Sequence, residues 1–186
     1  KKLIFHFFSN LGVKNVSEGL LTKMIDANFD TIKKILTINK QQLLELEGIK
    51  ETMANKIMSA FQTSTQKLEL LTLMVASNQF GRNLGYKKLR LFLNVYPNFI
   101  NSYQQKEITI EKLNQIEGFS EKTSQKLINN IPNFIHFLEK EIPPFVTKMV
   151  MLKSKNKKKS IKKKKGKFLG MNIVLTGTRN FEDYIK

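Results

Sequence analysis

Leu46-Glu47-Gly48-Ile49-Lys50-Glu51-Thr52-Met53-Ala54-Asn55-Lys56-Ile57 is echoed 70 positions later by Ile116-Glu117-Gly118-Phe119-Ser120-Glu121-Lys122-Thr123-Ser124-Gln125-Lys126-Leu127. Each copy sets an apolar residue two before a glycine, another directly after it, and then a stretch that reads as the start of a helix. The echo reaches upstream, where Leu36-Thr37-Ile38 corresponds to Ile108-Thr109-Ile110. A looser pair precedes each: Leu11-Gly12-Val13-Lys14-Asn15-Val16-Ser17 and Phe80-Gly81-Arg82-Asn83-Leu84-Gly85, with their first glycines 69 positions apart. Self-similarity at a nearly constant offset, here 69 to 72 positions, is the mark of a repeated structural unit. The chain therefore reads as four glycine turns in two pairs, at residues 1–66 and 67–145.

Between the turns, apolar residues recur at helical spacing, as in Leu20, Leu21, Met24 and Ile25 and in Leu89, Leu91, Phe92, Leu93 and Val95. Strict alternation is absent, so the body is expected to be all-α. Thr37 and Thr109, with Asn39 as a second candidate in the first copy, are placed as helix N-caps. Pro97, Pro132, Pro143 and Pro144 are expected to punctuate helices rather than interrupt them. After Pro144 the composition turns to lysine, and residues 146–170 read as a flexible linker. The stretch at 171–186 differs again: Asn172-Ile173-Val174-Leu175-Thr176 is a β-branched run, followed by Gly177 and Phe181-Glu182-Asp183-Tyr184-Ile185. It reads as the start of an α/β unit, strand, turn and helix.

The formal net charge of the 186 residues is +17. Residues 148–167 hold eleven lysines and no acid, residues 1–147 carry 19 Lys/Arg against 13 Asp/Glu, and residues 168–186 balance. A basic surface points to a polyanion, nucleic acid or an anionic membrane, and charge alone does not choose. The lysine run reads first as a soluble tether, and otherwise as a nonspecific DNA-gripping arm or a nuclear localisation signal. The absence of cysteine excludes disulfides and thiolate metal sites. His6 and His136 lie far apart among aromatics and read as packed or half-exposed side chains, so no metal site is expected. No apolar run approaches the ~20 residues of a membrane span. The chain opens Lys1-Lys2 without methionine or a signal-peptide pattern and is expected to be part of a longer protein.

A tight turn between two helices leaves the first N–H groups of the second helix without intrahelical partners. Where the turn holds glycine, a phosphate can come close enough to accept those hydrogen bonds, aided by the helix dipole. Such contacts position a duplex without reading its sequence. The quoted stretches resemble the helix-hairpin-helix motif, and two pairs of them resemble the corresponding domain of NAD-dependent DNA ligases. The opening from Phe5 through Leu11-Gly12-Val13 to Phe29 is similar to that domain as well. Ile173-Val174-Leu175-Thr176-Gly177-Thr178-Arg179 resembles the first strand and turn of a BRCT domain, the module that ends such ligases. The two-lobed repeat and lysine-rich linker resemble the viral type.

The resemblance implies non-sequence-specific binding of double-stranded, including nicked, DNA in replication and repair. The contacts would fall on Gly12, Lys14, Asn15 and Ser17; Gly48, Lys50 and Thr52; Gly81, Arg82, Asn83, Gly85, Lys87 and Lys88; and Gly118, Ser120, Lys122 and Thr123. In the BRCT-like start, Thr176 and Gly177 would meet a phosphate. The motif's second glycine is Ser17, Lys50 and Ser120 in three copies and is kept only at Gly85. The 81–85 hairpin is therefore expected to be the strongest contact, with Lys56 and Lys126 adding longer-range charge. No Lys-x-Asp-Gly sequence occurs, so no catalytic residue is assigned. NAD and the nucleotide-handling domains are expected in the parent protein, upstream, at an intracellular site such as the nucleus or a viral replication site. Two other readings stay open: an accessory module of a repair nuclease or junction-processing complex, and a protein-interaction scaffold.

Overall fold

In the computed structural model, residues 1–161 are described, with side chains through Ser154. Ile4, Phe7 and Phe8 line one face of helix α1 (Lys2–Leu11), and Leu20, Leu21 and Met24 do the same for α2 (Glu18–Asp26). Two short helices, α3 (Ile32–Leu36) and α4 (Lys40–Leu44), lead to the long α5 (Glu51–Lys67). The order then repeats: α6 (Leu70–Ala76), α7 (Tyr86–Val95), short α8 (Phe99–Gln104) and α9 (Ile110–Asn114), and long α10 (Glu121–Glu141). A last helix, α11, spans Pro144–Ile161. All regular structure among the described residues is helical, as the sequence pattern implies.

The short helices are held by caps, because five residues are too few to sustain a helix alone. Asn39 accepts from Gln42 N at 2.9 Å while the Gln42 side chain accepts from Asn39 N at 3.0 Å, a reciprocal capping box at α4. Thr109 accepts from Lys112 N at α9, and its hydroxyl also holds the Glu111 carboxyl below the usual carboxylate range. Thr37 departs from expectation. It closes α3 instead of opening α4, and its hydroxyl donates to Lys33 O at 2.8 Å. The cap of α3 is Thr31.

Two further expectations are corrected. Pro132 lies inside α10. A proline there removes a backbone donor and costs about 3 kcal/mol, but Ile131, Phe134, Phe137 and Leu138 around it are buried and offset that cost. The expected linker from residue 146 instead begins as helix α11, with Val146 and Val150 fully buried against the body. Lys153 Nζ donates to the carbonyls of Gln66 and, at 3.3 Å, Leu68, where α5 ends. The rest of the lysine run and the strand-turn-helix start at 171–186 lie outside the described residues.

The two five-helix groups share one continuous core. Helix α1 packs on α6, Phe7 meets Phe137 of α10 with ring centroids 6.1 Å apart, and Glu141 accepts from Ile32 N at 3.3 Å. Within the second group, Phe134 contacts Phe80, Phe99 and Phe137. This packing fixes the positions of all four hairpin turns.

Candidate nucleic-acid interface

The hairpins join α1 to α2, α4 to α5, α6 to α7 and α9 to α10. Each turn is made by a glycine with positive φ: Gly12 at 60°, Gly48 at 78°, Gly81 at 70° and Gly118 at 79°. Beneath them Val13, Leu46, Leu84, Ile116 and Phe119 are buried, so each turn is nailed to the core on its inner side and open outside. The turns come in two lengths. In the second and fourth hairpins the glycine stands two before the N-cap of the following helix, Lys50 or Ser120. In the first and third the loop is longer and takes a second left-handed residue, Asn15 or Asn83, a residue type that tolerates that conformation.

The helices that follow differ at their N-termini. Ser17 accepts from Leu20 N at 3.2 Å and Ser120 from Thr123 N at 3.4 Å, so α2 and α10 satisfy part of their own donors. Helices α5 and α7 have no side-chain cap. Glu18, Glu51 and Glu121 stand in the first turns of α2, α5 and α10, and Glu51 pairs with Lys40 at 2.9 Å. Helix α7 opens with Tyr86, Lys87 and Lys88, has no acid in its first turn, and places Arg90 over the exposed Tyr86 ring at 5.9 Å. Its N-terminus therefore keeps the least compensated positive potential of the four.

Lysines brace two of the turns from the partner hairpin. Lys23 of α2 donates to Glu47 O at 2.9 Å, and Lys126 of α10 donates to Arg82 O at 2.6 Å. These bonds fix the carbonyl side of the turns and hold cations beside Gly48 and Gly81.

Of the residues singled out in the sequence, Gly12, Lys14, Asn15 and Thr52 come together in a groove of about 890 Å³ beside α5. Asn83, Lys88, Ser120, Lys122 and Thr123 meet in a second, of about 480 Å³, with Lys126. Gly48, Lys50, Gly81, Arg82, Gly85, Lys87 and Gly118 are exposed at the turns outside both grooves, and Ser17 sits at its cap. Thr176 and Gly177 lie outside the described residues. The sequence pattern missed Lys23, whose role depends on a contact across hairpins, and Asn55, Ser59 and Thr63. Their four-residue spacing places them on one face of α5 and is visible in the sequence once that helix is known. Among the described residues no cluster of three or more His, Asp or Glu could hold a metal, and no helix is long and apolar enough to cross a membrane.

Residues 11–63, from the end of α1 through most of α5, match the SAM-like helix-hairpin-helix tandem family. Over 181 residues the chain is 38% identical to a DNA ligase of Acanthamoeba polyphaga mimivirus, covering 96% of this chain and 27% of that protein. A putative DNA ligase (205R) of Invertebrate iridescent virus 6 is 27% identical over 134 residues, covering 71% of this chain and 20% of the relative. A DNA ligase of Bacillus mycoides (strain KBAB4) is 28% identical over 137 residues, covering 70% and 19%. The chain thus resembles DNA ligases over most of its length and spans about a quarter or less of these curated relatives. No solved structure matches it.

Proposed function

We propose that the chain grips duplex DNA through its backbone phosphates, without sequence preference, as the DNA-binding part of an NAD-dependent DNA ligase. The observation that carries this reading is the open N-terminus of α7. Its uncapped N–H groups follow the 81–85 turn, no carboxylate stands in its first turn, and Lys87 and Lys88 flank it. A phosphate there accepts backbone hydrogen bonds and meets positive charge without displacing a side-chain cap. Arg82 and Asn83 add donors from the turn. The second hairpin, uncapped but carrying Glu51, ranks next; the serine-capped first and fourth follow. Similarity to DNA ligases along the chain supports DNA as that anion. The NAD-consuming, nick-sealing chemistry then belongs to the portion of such a ligase that this chain does not span, and the chain positions a nicked or intact duplex for it.

Titrating a labelled duplex at rising salt tests the claim, since phosphate neutralisation gives a log–log slope of about −0.9 per contact. Absence of binding at low salt would refute it. Gly85→Val combined with Arg82→Ala weakens duplex binding more than Lys50→Ala does; equal effects would refute the ranking.

A further inference from the structure

The larger groove extends well beyond the hairpin turn. It begins at Gly12, Lys14 and Asn15, runs along Thr52, Asn55, Lys56, Ser59, Thr63 and Ser64, and reaches Lys67 and Leu68 at the end of α5. From Thr52 to Lys67 the helix rises about 22 Å. Over that length the groove follows one face of α5.

Three lysines and no carboxylate line this trough. Among the described residues, the side chains of Lys14, Lys56, Lys67, Asn55, Ser59 and Thr63 form no hydrogen bond or ion pair within the protein. The second group of helices supplies a contrast. Lys126 follows Gly118 by the same interval at which Lys56 follows Gly48, yet Lys126 is committed to Arg82 O. Its counterpart Lys56 remains available. Asn55, Ser59, Thr63 and Lys67 repeat at four-residue steps, about 6 Å apart along the axis, a donor spacing suited to successive charged groups of an extended polyanion. The far end would repel an anion through the C-terminal carbonyls of α5. There Lys67 stands in the last turn, and Lys153 of α11 donates to Gln66 and Leu68.

We infer that this trough is a second DNA contact, holding one sugar-phosphate strand along α5 between the first hairpin turn and the root of α11. The inference rests on the duplex-binding reading above and extends the strand path from the first hairpin turn along the whole of α5. The hydroxyl and amide donors suit phosphate oxygens, and lysines at both ends supply the charge.

The test uses the full chain and a short duplex of mixed sequence, with affinity measured across a salt series and hydroxyl-radical footprinting of each strand. Ser59→Glu with Thr63→Glu, both at exposed positions, weakens binding at 0.1 M salt by about tenfold and removes protection from several consecutive sugars of one strand. Ser59→Lys with Thr63→Lys steepens the salt slope, an effect that a purely structural role would not produce. Melting curves confirm that both variants are folded. If the unaltered chain binds while both pairs leave affinity, slope and footprint unchanged, the trough is not a DNA path and the hairpin reading stands. If the unaltered chain fails to bind at low salt, the duplex-binding reading falls and this inference with it. Competition by polyglutamate as effective as by DNA of equal charge would assign the trough to an acidic protein segment instead and overturn the proposal.

Discussion

Gly85 differs from the four turn glycines in a way that separates folding from binding. Gly118 has φ 79°, where a side chain strains the backbone, whereas Gly85 has φ −83° and ψ −170°, and a Cβ added there meets nothing within 4 Å. Gly118→Ala should lower stability by about 1–2 kcal/mol, read from a urea midpoint. Gly85→Ala should be neutral or stabilising by roughly 0.5 kcal/mol, because the alanine chain has less freedom to lose on folding. If a phosphate approaches the 81–85 turn, the same Gly85 variant binds duplex more weakly despite its intact fold; unchanged affinity would remove Gly85 from the contact surface. The two capping serines make the complementary case. Ser120→Gly should cost only a few tenths of a kcal/mol, where Ser120→Ala costs about 1 kcal/mol. Both free Thr123 N–H from its internal acceptor, so neither should weaken duplex binding. A marked fall in affinity in a folded Ser120→Gly protein would make the Ser120 hydroxyl a DNA ligand in its own right.

At the scale of elements, the glycine echo made the hairpins legible because a left-handed turn restricts residue choice strongly. Caps are less discriminating. Thr37 and Asn39 are both good capping residues two positions apart, and the choice fell to Asn39 because Gln42 can return its bond. Sequence spacing could not show that α3, only five residues long, needs Thr37 for its own end. Pro132 and α11 were hidden for a different reason: helix persistence there depends on tertiary burial, which overrides local propensity. The lysines after Pro144 suggested solvated chain, yet Val146 and Val150 interrupt that composition at a one-turn spacing and anchor α11. Ending the chain at residue 143 should therefore lower stability by about 3 kcal/mol or more relative to a chain ending at residue 161, from two buried valines alone. Lys153→Met in the full chain should add a smaller destabilisation by uncapping α5. Equal denaturation midpoints for the two lengths would show α11 to be a passenger. A body prepared for binding measurements must then end no earlier than α11, since a cut at Pro144 removes core.

At the scale of the whole molecule, the duplication announced two groups of helices but not their docking. Of the joining contacts, α1 on α6 pairs equivalent helices of the two groups, whereas Phe7 on Phe137 and Glu141 on Ile32 N link positions that are not equivalent in the repeat. No self-comparison of the sequence reveals such pairs. Their consequence is that the 81–85 turn and the α5 trough belong to one packed body, so contacts made at both share a single ordering cost instead of requiring two. The charge distribution sets a second scale. Residues 1–147 contribute a net +6 and the run at 148–167 contributes +11, so the run adds a nonspecific component to duplex binding beside that of the body. Replacing Lys157, Lys158, Lys159, Lys162, Lys163, Lys164 and Lys165 by glutamine leaves the buried residues of α11 in place and isolates the body. The salt slope should become shallower by about 0.9 for each phosphate that the run no longer neutralises, while residual binding keeps its dependence on Gly85 and on the α5 trough. If that variant has no low-salt affinity for duplex, the grip lies in the lysine run and the hairpins serve as helix joints; retained binding that weakens further with Arg82→Ala places it on the folded turns.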